Sequence, residues 1–109
     1  MPSAPAGERL SVTEVTDVLR LLGDPARAAI VDLLSREQLC TCHLQEALGA
    51  KQTLVSHHLR ALREGGLVEA EPCGRFTYYR LRPGALDAAL EALGRVVGAS
   101  ASDVPKRSC

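Results

Sequence analysis

The stretch His43-Leu44-Gln45-Glu46-Ala47-Leu48-Gly49-Ala50-Lys51-Gln52-Thr53-Leu54-Val55-Ser56-His57-His58-Leu59-Arg60-Ala61-Leu62-Arg63-Glu64 decides the fold. Gly49 ends a first short helix over about 43–48, because glycine takes the left-handed turn of a helix end without steric cost. A second helix then runs over about 52–64 and stops at Gly65-Gly66. Two helices joined by three residues make a helix-turn-helix.

On the second of these helices Val55, Leu59 and Leu62 recur at core spacing, while Thr53, Ser56, His57 and Arg60 fall on the opposite stripe. A helix that needs only solubility carries Glu and Lys there. Hydroxyl, amide, imidazole and guanidinium groups instead suit phosphates and base edges, and Arg60 can grip guanine bidentately or clamp a phosphate. The bland alternative is an ordinary solvated face. Lys51 and Gln52 at the start of the helix join the expected DNA contacts; His58 sits nearer the core and is expected to be a hydrogen-bonded packing residue.

Outward from this unit, residues 67–72 and 76–82 alternate as strands around Cys73-Gly74-Arg75, which predicts a β-hairpin beside the helix-turn-helix. Such a hairpin is a wing. Arg75 at its tip either reaches a groove or backbone of DNA or is a plain exposed arginine. Upstream, Val12, Val15, Val18, Leu19 and Leu22 set a helix over about 11–22, and Asp24-Pro25 starts another over about 26–35. Downstream, Leu86, Ala89, Leu90, Leu93 and Val97 mark a terminal amphipathic helix. The expected class is mainly α with a small β-hairpin. Residues 1–10 read as a flexible arm, 11–98 as the winged helix-turn-helix domain and 99–109 as a flexible tail.

A length of 109 residues with 46% hydrophobic content allows one domain with a core. No apolar run is long enough to span a membrane and the first residues lack a secretory pattern, so a cytoplasmic location is expected. In that reducing compartment the four cysteines are free thiols, ligands or redox sensors rather than a disulfide framework. The formal net charge is zero. Its distribution is uneven: residues 51–82 hold Lys51, Arg60, Arg63, Arg75, Arg80 and Arg82 against Glu64, Glu69 and Glu71. A modest basic patch predicts DNA affinity that falls steeply with salt.

The segment Leu39-Cys40-Thr41-Cys42-His43-Leu44 places two soft thiols just before the helix-turn-helix. Thiolates suit soft or borderline ions, and the amides of a helix start favour the thiolate form. Buried packing is the alternative role for such cysteines. No phosphate-cradling loop surrounds any of the four, so a thiol enzyme such as an arsenate reductase is not expected. A winged helix used only for protein contacts is a further alternative.

The ordered set Leu22-Gly23-Asp24-Pro25-Ala26-Arg27, Leu39 to Leu44, Ser56-His57-His58-Leu59-Arg60, Gly66-Leu67-Val68 and Gly74-Arg75 through Tyr78-Tyr79-Arg80-Leu81 resembles the ArsR/SmtB family of metal- and metalloid-responsive repressors. The resemblance implies a homodimer, paired through the first and last helices, that releases double-stranded DNA when an ion binds. Two-fold symmetry implies an inverted-repeat operator, with recognition helices roughly 34 Å or a multiple apart. The Leu-Cys-x-Cys pattern is similar to that of arsenite and antimonite sensors, with Cys40 and Cys42 as ligands. Gln45 stands where a third cysteine is found in the enterobacterial-type site. Cys73, Cys109 or an external thiol such as glutathione completes the set, or two thiolates suffice. The alternatives are cadmium, lead or zinc, with His43 able to complete a Cys/His site for zinc or cadmium, and a switch driven by thiol oxidation or persulfides.

Overall fold

The computed structural model describes residues 12–97 and Arg107. The expected arm at 1–10, most of the expected tail and Cys109 lie outside the described residues. In chain order the elements are α1 (Val12–Leu22), α2 (Pro25–Leu34), β1 (Leu39–Cys40), α3 (Thr41–Leu48), α4 (Gln52–Glu64), β2 (Val68–Cys73), β3 (Phe76–Leu81) and α5 (Ala85–Val97).

Each boundary has a local cause. Asp24 caps α2 by accepting the N–H groups of Ala26 and Arg27 at 2.8 and 3.2 Å, with Pro25 preset in the first turn. Gly49 closes α3 at φ +61°, and its turn lets α4 begin three residues later. Gly74, at φ +63°, opens the two-residue loop between Cys73 and Phe76, the last pair of the β2–β3 ladder.

The core joins α2, α3, α4 and the roots of the strands through Ile30, Leu34, Leu39, Leu44, Val55, Leu59, Leu62, Leu67 and Val68. Val55, Leu59 and Leu62 thus face inward as their spacing predicts. Helices α1 and α5 pack on each other at the other side of the domain. Each leaves a large leucine exposed, Leu19 at 49% and Leu90 at 69%, although both belong to the apolar stripes read from the sequence. A single chain does not use the whole of those stripes. No helix among the described residues is long and apolar enough to cross a membrane.

The sheet holds one strand more than the expected hairpin. Its order is β1-β3-β2, all antiparallel, with Leu39 opposite Tyr79 and Cys40 opposite Tyr78. Helix α3 also starts earlier than expected, at Thr41 rather than His43, because Cys40 leaves the strand in an extended conformation and serves as the N-cap.

Candidate DNA-binding face and cysteine junction

Helix α4 presents two faces of different chemistry. Val55, His58, Leu59 and Leu62 are buried, whereas Gln52, Thr53, Ser56, His57 and Arg60 are exposed. Gln52, Thr53, Ser56, His57 and Arg60 line one shallow groove together with Arg63 and Tyr79. The structure therefore gathers the expected contacts of the helix on one surface, with Lys51 exposed at its start. Arg63, expected only as part of the basic patch, and Tyr79 were not among the expected DNA contacts. Arg63 follows Arg60 by three residues and was legible from helical spacing; Tyr79 comes from β3, and only the folded sheet brings it there.

Charge on this face is partly committed. Arg80 pairs with Glu69 at 3.0 Å and lies 3.8 Å from Glu71, so it adds little to a basic patch. Arg60 lies 3.8 Å from Glu64, both largely exposed, a pairing that a phosphate can displace at small cost. Among the described residues, Lys51, Arg63 and Arg75 form no ion pair and remain available to phosphates. Arg75 is exposed at the wing tip beside Phe76, which is 52% exposed.

Behind the polar face, His58 is only 7% exposed. The Arg27 guanidinium, which can only donate, lies 3.5 Å from its Nδ1. Nε2 lies 4.0 Å from the Asp24 carboxylate. Arg27 also donates through Nε to the Leu21 carbonyl at 2.7 Å, so one side chain ties the end of α1 to the recognition helix. The expected packing role of His58 is what the structure shows. Two backbone N–H groups hold the Asp24 carboxyl below its ordinary value; Arg27 N–H has the largest effect, burial opposes it, and the Ala26 N–H, His58 and the Arg27 charge add to it.

The cysteine junction lies where β1 meets α3. Cys40 is buried and Cys42 is exposed, although only Thr41 separates them. The change from strand to helix between them turns the two thiols into different environments. His43 folds back on Cys40: its Nδ1 accepts the Cys40 N–H at 3.2 Å and sits 3.3 Å from Sγ. Its ring is 6.1 Å from that of Tyr78. Cys73 is exposed at the end of β2, and no group of three His, Cys, Asp or Glu side chains among the described residues is close enough to hold an ion. The two thiols suit a soft ion in kind.

A helix-turn-helix with an exposed polar second helix and an adjoining hairpin defines a winged helix-turn-helix DNA-binding regulator, not an enzyme. Residues 24–70 match the family described as bacterial regulatory protein, arsR family, and the chain belongs to that family. It is 38% identical over 80 residues to the arsenic resistance transcriptional regulator ArsR1 of Pseudomonas putida, a match covering 72% of this chain and 62% of that one. It is 34% identical over 84 residues to the arsenical resistance operon repressor of Staphylococcus aureus, covering 77% and 81%. Among solved structures, the homodimeric winged helix-turn-helix DNA-binding domain from Mycobacterium bovis is similar with a TM-score of 0.64 and 37% identity, over 79% of each chain.

Proposed function

We propose that this chain is a homodimeric repressor that holds an inverted-repeat operator when ion-free and releases it when trivalent arsenic or antimony binds Cys40 and Cys42. The observation that carries this reading is the position of the two thiols at the start of α3, the helix that packs directly on the recognition helix α4. A change at one end of α3 is transmitted to α4 across their shared core residues, Leu44 among them. The similarity to repressors of arsenical resistance supports the choice of ion. The exposed Leu19 and Leu90 on the paired helices α1 and α5 support a second copy docking there.

The DNA contacts in this reading are Lys51, Gln52, Thr53, Ser56, His57 and Arg60 on the recognition helix and Arg75 on the wing. Their chemistry divides into side chains that read base edges and cations that neutralise phosphates. The third donor to the ion is Cys109, Cys73 or an external thiol, or the ion is held by two. A second reading is favoured by the 3.3 Å approach of Cys40 Sγ to His43 Nδ1: a Cys/His set suits cadmium or zinc.

Fluorescence anisotropy of the reduced protein on its own upstream DNA, titrated with arsenite, antimonite, cadmium and zinc, tests both. Release by arsenite or antimonite that disappears in Cys40→Ser/Cys42→Ser supports the metalloid repressor. Release by cadmium or zinc alone selects the second reading. Tight binding indifferent to every ion leaves a thiol-oxidation switch, and absence of binding at low salt overturns the repressor.

A further inference from the structure

The hairpin of β2 and β3 packs on α2, α3 and α4 and is tied to the rest of the domain by backbone hydrogen bonds at two places. At its root, the Leu67 N–H donates to the Leu62 carbonyl of α4 at 3.0 Å, and the Arg82 N–H donates to the Leu67 carbonyl at 2.8 Å. Midway along, β1 lies against β3. The hairpin strands pair with each other from Val68–Leu81 to Cys73–Phe76, six pairs in register, while β1 contributes only Leu39–Tyr79 and Cys40–Tyr78. A hairpin paired over six residues moves as one body, and the bridge to β1 is a short one of two pairs.

That bridge contains one thiol of the proposed ion site. Cys40 pairs with Tyr78 across the sheet, and His43, which takes the Cys40 N–H and touches its sulfur, packs its ring against the same tyrosine at 6.1 Å and 58°. Tyr78 is therefore met from both sides of the junction, by the backbone of Cys40 and by the ring of His43. It is half-buried, and three residues before it Arg75 stands exposed at the tip.

We propose that Tyr78 is a positioning residue through which the state of Cys40 sets the attitude of the wing, so that operator release runs through the wing as well as through α4. The inference rests on the reading of Cys40 and Cys42 as ion ligands. Cys40 is buried and Cys42 exposed; in this proposal an ion shared by both sulfurs draws Cys40 away from His43 Nδ1 and shears the Cys40–Tyr78 pair. From Tyr78 the strand reaches Phe76, about 7 Å away at ~3.4 Å per residue, and Arg75 follows in the turn. A small rotation at the bridge, with the root held by Leu62 and Leu67, displaces the Arg75 guanidinium from a phosphate or groove.

Phe76 is the one phenylalanine of the chain and lies at the wing tip, so biosynthetic 4-fluorophenylalanine gives a single fluorine resonance there. The full chain is titrated with arsenite, with thiolate-to-arsenic absorption reporting binding and anisotropy reporting the operator. The expected result is that the Phe76 resonance moves in step with operator release and stays fixed in Cys40→Ser. In Tyr78→Val arsenite still binds, the ion-induced movement of the resonance is lost, and the ion-induced loss of operator affinity shrinks at least about threefold, a measure of coupling between sites. Tyr78→Phe, which keeps the ring, restores both. A wild-type resonance unmoved while arsenite binds and the operator is released overturns the proposal.

If no thiolate absorption develops, the ion reading has failed and the bridge is decided in the ion-free protein. His43→Ala, which removes the ring from Tyr78 and the acceptor from Cys40, then shifts the Phe76 resonance and alters operator affinity. An unchanged resonance in His43→Ala overturns the bridge whatever the ion does.

Discussion

Helices α2 and α3 begin from similar backbone geometry and are finished in opposite ways. Their N-caps are both extended, Asp24 at φ −88°, ψ 127° and Cys40 at φ −91°, ψ 173°. Asp24 closes α2 with a carboxylate that accepts two of the otherwise unpaired N–H groups of its first turn. Cys40 brings to α3 a sulfur, a weak acceptor, and the His43 imidazole turns back to take the Cys40 N–H. One helix start is built to persist. The other carries a group that binds soft ions well and amides poorly, so ligand binding there competes with weak local bonds.

The comparison concerns the ends of the helices, not their bodies. Ile30 in α2 and Leu44 in α3 are each at 0% exposure in the same core. Ile30→Ala and Leu44→Ala are both expected to lower the unfolding free energy by about 2–5 kcal/mol, measured by urea denaturation. A far smaller loss at Leu44 would break the comparison, because α3 would then be held by its termini.

At the ends the two helices diverge. Cys40→Ser puts a better acceptor in nearly the same volume, so the ion-free protein keeps its stability or gains up to about 1 kcal/mol. The arsenite-induced loss of operator affinity is expected to fall at least about tenfold, roughly 1.4 kcal/mol of coupling. Cys42→Ser, at an exposed position, gives the same loss of response with stability unchanged within about 0.5 kcal/mol. Should Cys40→Ser keep the full response while Cys42→Ser loses it, the buried thiol is a packing residue and the contrast between the caps carries no function.

The two regions also differ in how far they were legible in the sequence. Helix α4 was read with its bounds, its inner face and its exposed contacts, because helical period, flanking glycines and side-chain chemistry are all local. The inward turn of His58 followed from the same spacing, but its contacts with Arg27 and Asp24 did not, since they join separate helices. β1 left no signal. Leu39-Cys40 is too short to show alternation, and its partners Tyr78 and Tyr79 lie far along the chain. Pairing of that kind is set by the assembled sheet, so the bridge between cysteine and wing was invisible beforehand. The charge count already set Glu69 against the cations, but that Arg80 is the one it pairs with came only with the register.

The smallest effect sharpens the contrast from the side of α2. The N–H of Arg27, then that of Ala26, with His58 and the Arg27 guanidinium nearby, lower the Asp24 pKa below its ordinary 3.8. A carboxyl whose folded pKa is depressed adds stability that is fully present above its unfolded value and is lost as pH falls through the folded one. Replacement by Asn leaves a neutral cap that does not titrate. The melting temperature of wild type is therefore expected to exceed that of Asp24→Asn at pH 6, and the gap is expected to close as pH falls below about 3.8. Thermal melts of the two proteins across this range check the sign. A gap that widens on acidification would mean that Asp24 is stabilised when protonated, and the charged cap of α2 would no longer stand as the fixed counterpart of the exchangeable cap of α3.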